Sequence, residues 1–254
     1  MEITFTIKND DDWKKAFPPV GKDKQWRDGY SAKEFAKIVT DQYKKYCPFE
    51  KTIKKQIPEL KDFHFVAHEA FPERVSRFDS LSGGRHHDLA LLMENKNGER
   101  VALCFEAKVD EPFDDPLGKY ISKASEGQIK RANSLCKRFL GSEYKEDFKD
   151  VFYQLLSATA GSVAFAGEKN VSTVYFVVFQ ILPESRPEVN SEAHIDAINN
   201  FLKFTKVKGK ISKDDKTVNL GNLSIERKDE NGNEMTAEVI LTYMETTVPA
   251  PKNK

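Results

Sequence analysis

Arg77–Phe113 reads RFDSLSGGRHHDLALLMENKNGERVALCFEAKVDEPF, and two features of it decide the fold. HHDLALLMEN and ERVALCFEAKV are β-rich runs joined by Asn95-Lys96-Asn97-Gly98, and Asn-Gly between apolar runs is a strong hairpin signal. Both strands carry charge in an apolar setting: Asp88 on the first, Glu106 and Lys108 on the second. An unpaired charge buried in a strand is costly, and Lys and Glu are among the residues least often fully buried. The three groups must therefore pair with one another or hold a metal.

The hairpin brings them together. A two-residue turn pairs Lys96 with Glu99, and a four-residue loop pairs Glu94 with Glu99. Either register sets Asp88 within one residue of Glu106 on the neighbouring strand, and a bulge absorbs the remainder. Glu106 and Lys108 share a face at i and i+2. Two close carboxylates repel, and Mg²⁺ relieves that repulsion because it prefers carboxylate oxygens and keeps several waters. A lysine beside such a metal orients or deprotonates an attacking water. These are the parts needed to hydrolyse a phosphodiester.

Outward from the hairpin the pattern is mixed α/β. Ile3–Ile7 predicts a short strand, and the polar segment to Gly29 an irregular lead-in. Ser31, with Glu34 three residues on, reads as a capping box opening a helix over 31–46, which Pro48 ends. A second helix is expected over Glu50–Ile57 and a strand over DFHFVAHEAF. Helical segments follow near Ser125–Phe139 and Phe148–Ala166. VSTVYFVVFQIL is continuous, apolar and β-branched, so it predicts a central strand covered on both faces. An amphipathic helix with Ser191 as its cap comes next. Strands over Thr217–Glu226 and Thr236–Tyr243 then flank the turn ENGN, and VPAPKNK reads as a frayed end. The run Ser157–Ser162 is small enough to let its helix lie close to a sheet. The expectation is one domain over 1–254, with a core at about 31–182 and a C-terminal helix plus β-hairpin extension at about 190–246.

Forty basic and forty acidic residues leave no global positive field, so any nucleic-acid contact must rest on local patches. One such patch runs from Lys119 to Arg138, with six basic residues against Glu126 alone. Lys119, Lys123, Lys130 and Arg131 are its candidate backbone contacts, joined by Arg85 from the SGGR loop. That loop lacks the spacing of a P-loop or dinucleotide fingerprint. His86 and His87 point opposite ways on a strand and do not form a ligand pair. Three scattered cysteines without a C-x-x-C pair argue against structural zinc or a disulfide framework and fit a reducing cytoplasm. The start of the chain lacks the pattern of a signal peptide, and the apolar runs fall short of the ~20 residues a membrane span needs.

Asp88, seventeen intervening residues, then Glu106-Ala107-Lys108 resembles the core motif of the PD-(D/E)XK nuclease superfamily, the restriction-endonuclease-like fold. The predicted element order is similar to that core: helix, three strands, helix, strand. His87 stands where the motif has proline. The longer run through YQLLSATAG is also similar to a group of bacterial proteins with this core. The resemblance implies an α-β-β-β-α-β core whose mixed central sheet is flanked by helices. It implies Asp88 and Glu106 as ligands of Mg²⁺, with Mn²⁺ as substitute, and Lys108 as the catalytic lysine. It further implies Glu34 from the first helix, and Gln154 beside Tyr153 on the helix after the motif, as assisting groups. The function implied is a metal-dependent nuclease acting on nucleic acid, DNA foremost, and many enzymes of this fold work as homodimers. The alternatives are a non-catalytic nucleic-acid-binding or protein-interaction module on the same fold, and a structural ion network.

Overall fold

The computed structural model describes residues 8–18, 26–43, 48–186, 188–189 and 191–250. The strand expected at Ile3–Ile7 lies outside them. The lead-in is not wholly irregular, because α1 (Asp10–Ala16) forms there. The Asn9 side chain accepts from the amide of Asp12, and three aspartates occupy the first turn. Both features satisfy or complement the unpaired N–H groups of a helix start.

The helix expected over 31–46 is shorter: α2 spans Ser31–Val39. Its N-cap is Tyr30, not Ser31, and no side chain caps it. The Ser31 hydroxyl is instead committed to Glu111, at 2.6 Å. Next comes α3 (Phe49–Gln56), and then three strands, β1 (Phe63–Ser76), β2 (Arg85–Asn95) and β3 (Arg100–Lys108). Four α-helices and three strands follow among the described residues: α4 (Leu117–Ser122), α5 (Glu126–Leu140), α6 (Tyr153–Glu168), β4 (Thr173–Pro183), α7 (Glu192–Phe204), β5 (Thr217–Lys228) and β6 (Glu234–Val248). The capping box forms at α5, between Ser125 and Gln128. Ser191 precedes α7 without a capping hydrogen bond. Val248, expected in a frayed end, is buried in β6.

One six-stranded sheet takes the order β1-β2-β3-β4-β6-β5. The first three strands form an antiparallel meander, β4 runs parallel to β3, and β6 runs parallel to β4. The C-terminal hairpin is thus part of the central sheet, with β6 against β4 and β5 beyond it. Apolar side chains of α2 and α3, among them Phe35, Phe49 and Ile53, pack with Leu89, Leu91, Leu103, Phe105 and Phe179 in one cluster. Residues of α5, α6 and α7 pack with Ala90, Leu92, Ala102, Cys104 and Val178 in the other. β4 is buried along almost its whole length, which accounts for its continuous apolar sequence.

The hairpin register falls between the two expected. Glu94 pairs with Arg100 and Leu89 with Phe105, while the amide of Asn95 donates to the Glu99 carbonyl at 3.0 Å. The loop is therefore Lys96-Asn97-Gly98, and Gly98 takes a φ of 79°, a conformation open to glycine at little cost. This register puts Asp88 level with Glu106.

Candidate active site

The β2–β3 ladder stops at Leu89 and Phe105, one residue short of Asp88 and Glu106. The Asp88 carboxylate takes over there, and its Oδ2 accepts the Ala107 amide at 2.6 Å. A side chain thus replaces a main-chain acceptor where the two strands part. The β1–β2 ladder is interrupted at the same level, between Pro72↔Leu89 and Arg74↔His87. The residue across from Asp88 is Glu73, held at a φ of 49°. Pro72 and Glu73 are tolerated because β1 is an edge strand.

Glu106 is 5% exposed, Lys108 7% and Gln154 6%. Glu106 Oε1 lies 2.9 Å from Lys108 Nζ and accepts from Gln154 Nε2 at 2.8 Å. Its Oε2 accepts from the Arg85 guanidinium. Gln154, in the first turn of α6, also accepts the Asp114 amide at 3.1 Å. The Lys108 ammonium stands 5.4 Å from the Phe113 ring centroid. The sequence-derived group of Asp88, Glu106, Lys108 and Gln154 therefore meets at one end of β3, and Arg85 joins it.

Burial dominates the electrostatics. It pushes the Asp88 carboxyl up, opposed by the Ala107 hydrogen bond and by Lys108 and Arg85. It pushes the Lys108 ammonium down, opposed chiefly by Asp88. Glu73 is raised to about 8, first by burial and then by the charge of Asp88. Glu73 makes no hydrogen bond or ion pair among the described residues, and neither does the second oxygen of Asp88.

Glu34 is not part of this group. It is 2% exposed, and its carboxylate accepts from the Gly29 amide at 2.8 Å, Lys37 Nζ at 3.2 Å and the Tyr43 hydroxyl at 2.6 Å. Its helix packs in the cluster on the sheet's other face, away from α6.

The basic patch is largely self-neutralised. Lys119 and Lys123 both pair with Asp115, and Lys130 with Glu126. Arg131 makes two bonds to Asp79, at 2.6 and 2.8 Å, and a third to the Ser82 carbonyl. Arg138 pairs with Glu234.

Three contributors carried no sequence motif. Glu73 is one. Gln180 on β4 pairs in register with Lys108, and His194 on α7 places Nδ1 2.5 Å from Gln180 Oε1 and Nε2 2.8 Å from the Glu111 carbonyl. Gln180 donates to the Val109 carbonyl, so His194 and Gln180 together pin the segment that follows Lys108. A lone Gln inside VYFVVFQIL was the available signal, since a polar residue in a strand buried on both faces needs partners.

A family model described as a domain of unknown function, DUF6946, matches residues 6–247. The chain belongs to that family. No curated protein and no solved structure matches it. All the groups just described fall inside the matched DUF6946 region.

The donor chemistry suits a hard divalent cation: Asp88 offers a carboxylate oxygen without a partner among the described residues, and Glu73 across from it is a second carboxyl. Yet no group of three acidic, histidine or cysteine side chains among the described residues is close enough to hold a metal ion. Glu106 is the reason on the β3 side, because nitrogen donors already satisfy both of its oxygens. Among the described residues no helix is long and apolar enough to cross a membrane.

Proposed function

We propose that this chain has a restriction-endonuclease-like core and hydrolyses phosphodiester bonds of nucleic acid. The observation that carries the reading is Gln154, which reaches from α6 to the same Glu106 oxygen that Lys108 approaches, with Asp88 hooked onto the adjoining amide. An antiparallel meander followed by a helical crossover to a parallel β4 supports it further.

Asp88 and Glu106 would hold Mg²⁺, or Mn²⁺ in its place, and the ion would polarise the phosphoryl oxygen and lower the pKa of a bound water. The chain's own residues do the rest. Glu106, itself held by Gln154, fixes the Lys108 ammonium. Burial brings the lysine's proton affinity down, so it can exchange a proton with water more readily than an exposed lysine. Its charge also stabilises the negative charge that builds on the phosphoryl group.

A specific observation favours a second reading, a non-catalytic module on the same framework: Glu106 is buried and fully satisfied by Arg85, Lys108 and Gln154, as in a structural ion network. One experiment separates the two. Wild type and Lys108→Met are incubated with Mg²⁺ or Mn²⁺ and with single- and double-stranded DNA and RNA. Metal-dependent cleavage by wild type that falls at least ~100-fold in the folded variant supports the hydrolase. Equal activity in the two removes the lysine from the mechanism. No cleavage of any substrate by wild type favours the non-catalytic module.

A further inference from the structure

Arg85 is the group that occupies Glu106 Oε2, the oxygen that Lys108 and Gln154 leave free. It opens β2 directly after the Ser82-Gly83-Gly84 turn. Its stem lies against Gly161 of α6 so closely that a Cβ on that glycine would sit 2.6 Å from Arg85 Cβ. That approach seats the guanidinium on Glu106 Oε2, with Asp88, Asp114 and Glu73 also within its electrostatic reach. Its Nε is buried without a hydrogen-bond partner among the described residues. The guanidinium is thus held by charge but not fully satisfied by hydrogen bonds. A phosphate oxygen is the kind of acceptor that meets such a fork in two-point fashion.

We infer that Arg85 is a resident counter-ion which a divalent cation must displace from Glu106, and that an incoming phosphodiester draws it away. The inference rests on the hydrolase reading and adds an order of events to it. Metal and substrate bind cooperatively, and the metal binds weakly alone. The charges set the direction. With Arg85 in place, Glu106 Oε2 is taken and a positive charge faces any entering cation. With Arg85 turned to a phosphate, Glu106 Oε2 is released beside Asp88, and the two carboxylates then repel one another until a cation enters. Linkage makes the effect reciprocal: whatever the anion does for metal affinity, the metal does for anion affinity.

The test uses Mn²⁺ as the metal and dimethyl phosphate, an inert phosphodiester, as the anion. Mn²⁺ binding is measured by titration calorimetry on wild type and Arg85→Met, each with and without dimethyl phosphate. The expected results are Mn²⁺ affinity at least ~10-fold higher in Arg85→Met than in wild type, and a gain from dimethyl phosphate in wild type that the variant lacks. Binding by both proteins with equal affinity overturns the role of Arg85 and leaves the hydrolase reading standing. Absence of Mn²⁺ binding in both, at millimolar metal and with the anion present, overturns the two together. If Arg85→Met does not fold, the wild-type pair of titrations decides: an Mn²⁺ affinity indifferent to dimethyl phosphate overturns the inference.

Discussion

Asp88 is bonded to the main chain of Ala107, not to the side chain of Glu106 opposite. A carboxylate is not needed for that bond, because an amide oxygen accepts an N–H equally well. Asp88→Asn should therefore keep the strand junction. It should also remove the charge that raises Glu73, and stabilise the metal-free protein at neutral pH by about 1 kcal/mol. Urea unfolding of both proteins in chelator tests this. A loss of ~2 kcal/mol or more would mean that Asp88 is needed as counter-ion to Arg85 and Lys108.

Glu73 makes stability depend on pH in a defined window. Its folded value, about 8, lies above the ordinary 4.5. The folded protein keeps a proton there that the unfolded chain releases, so the contribution is favourable at low pH and lost as pH rises from about 4.5 to about 8. Glu73→Gln should flatten that slope and stabilise the protein at pH ~8 by roughly 1–2 kcal/mol, less than full linkage because the side chain is partly wet. The check is metal-free urea unfolding across pH 5–9, wild type against variant. Parallel curves would show that Glu73 titrates normally.

His194 sits between two buried acceptors, Gln180 Oε1 and the Glu111 carbonyl, and its ring, kept neutral by burial, has one N–H to donate. His194→Phe preserves the edge-on ring contact with Phe113 but orphans the acceptor that this N–H serves. The expected cost is about 1–3 kcal/mol for the group left unsatisfied. Amide exchange should quicken at Val109, whose N–H is held by Glu111 and whose carbonyl is held by Gln180. A global loss with unchanged local exchange would separate His194 from the Lys108 segment.

The legible parts of the fold were those with strong local rules. Asn97-Gly98 marked the hairpin, and the β-branched run of β4 marked a strand covered on both faces. The register was missed because Gly98 serves a three-residue loop, which neither counted turn allowed for. The start of α1 was missed although Asn9 and three aspartates are a capping signal. In the candidate site, the convergence of Asp88, Glu106, Lys108 and Gln154 was legible because a hairpin and one helix bring them together. Glu34 does not join the cluster, because Gly29, Lys37 and Tyr43 take up its carboxylate, and position on the first helix does not announce those partners. Glu73 stayed hidden because its proximity to Asp88 comes from the pairing of β1 with β2, which no turn residue announces. The basic patch looked open because the partners of Arg131 and Arg138, Asp79 and Glu234, lie 52 and 96 residues away along the chain.

The place of β6 in the sheet bears on how the protein is made. Thr173–Pro183 pairs with residues 238–248 along its entire length. On the ribosome, which delivers the chain from its N-terminus, β4 emerges some sixty residues ahead of that partner. During the interval a long apolar strand has one bare edge, open to another nascent chain. Truncation before Glu234 would make that interval permanent, so shortened forms that retain every proposed catalytic residue should aggregate.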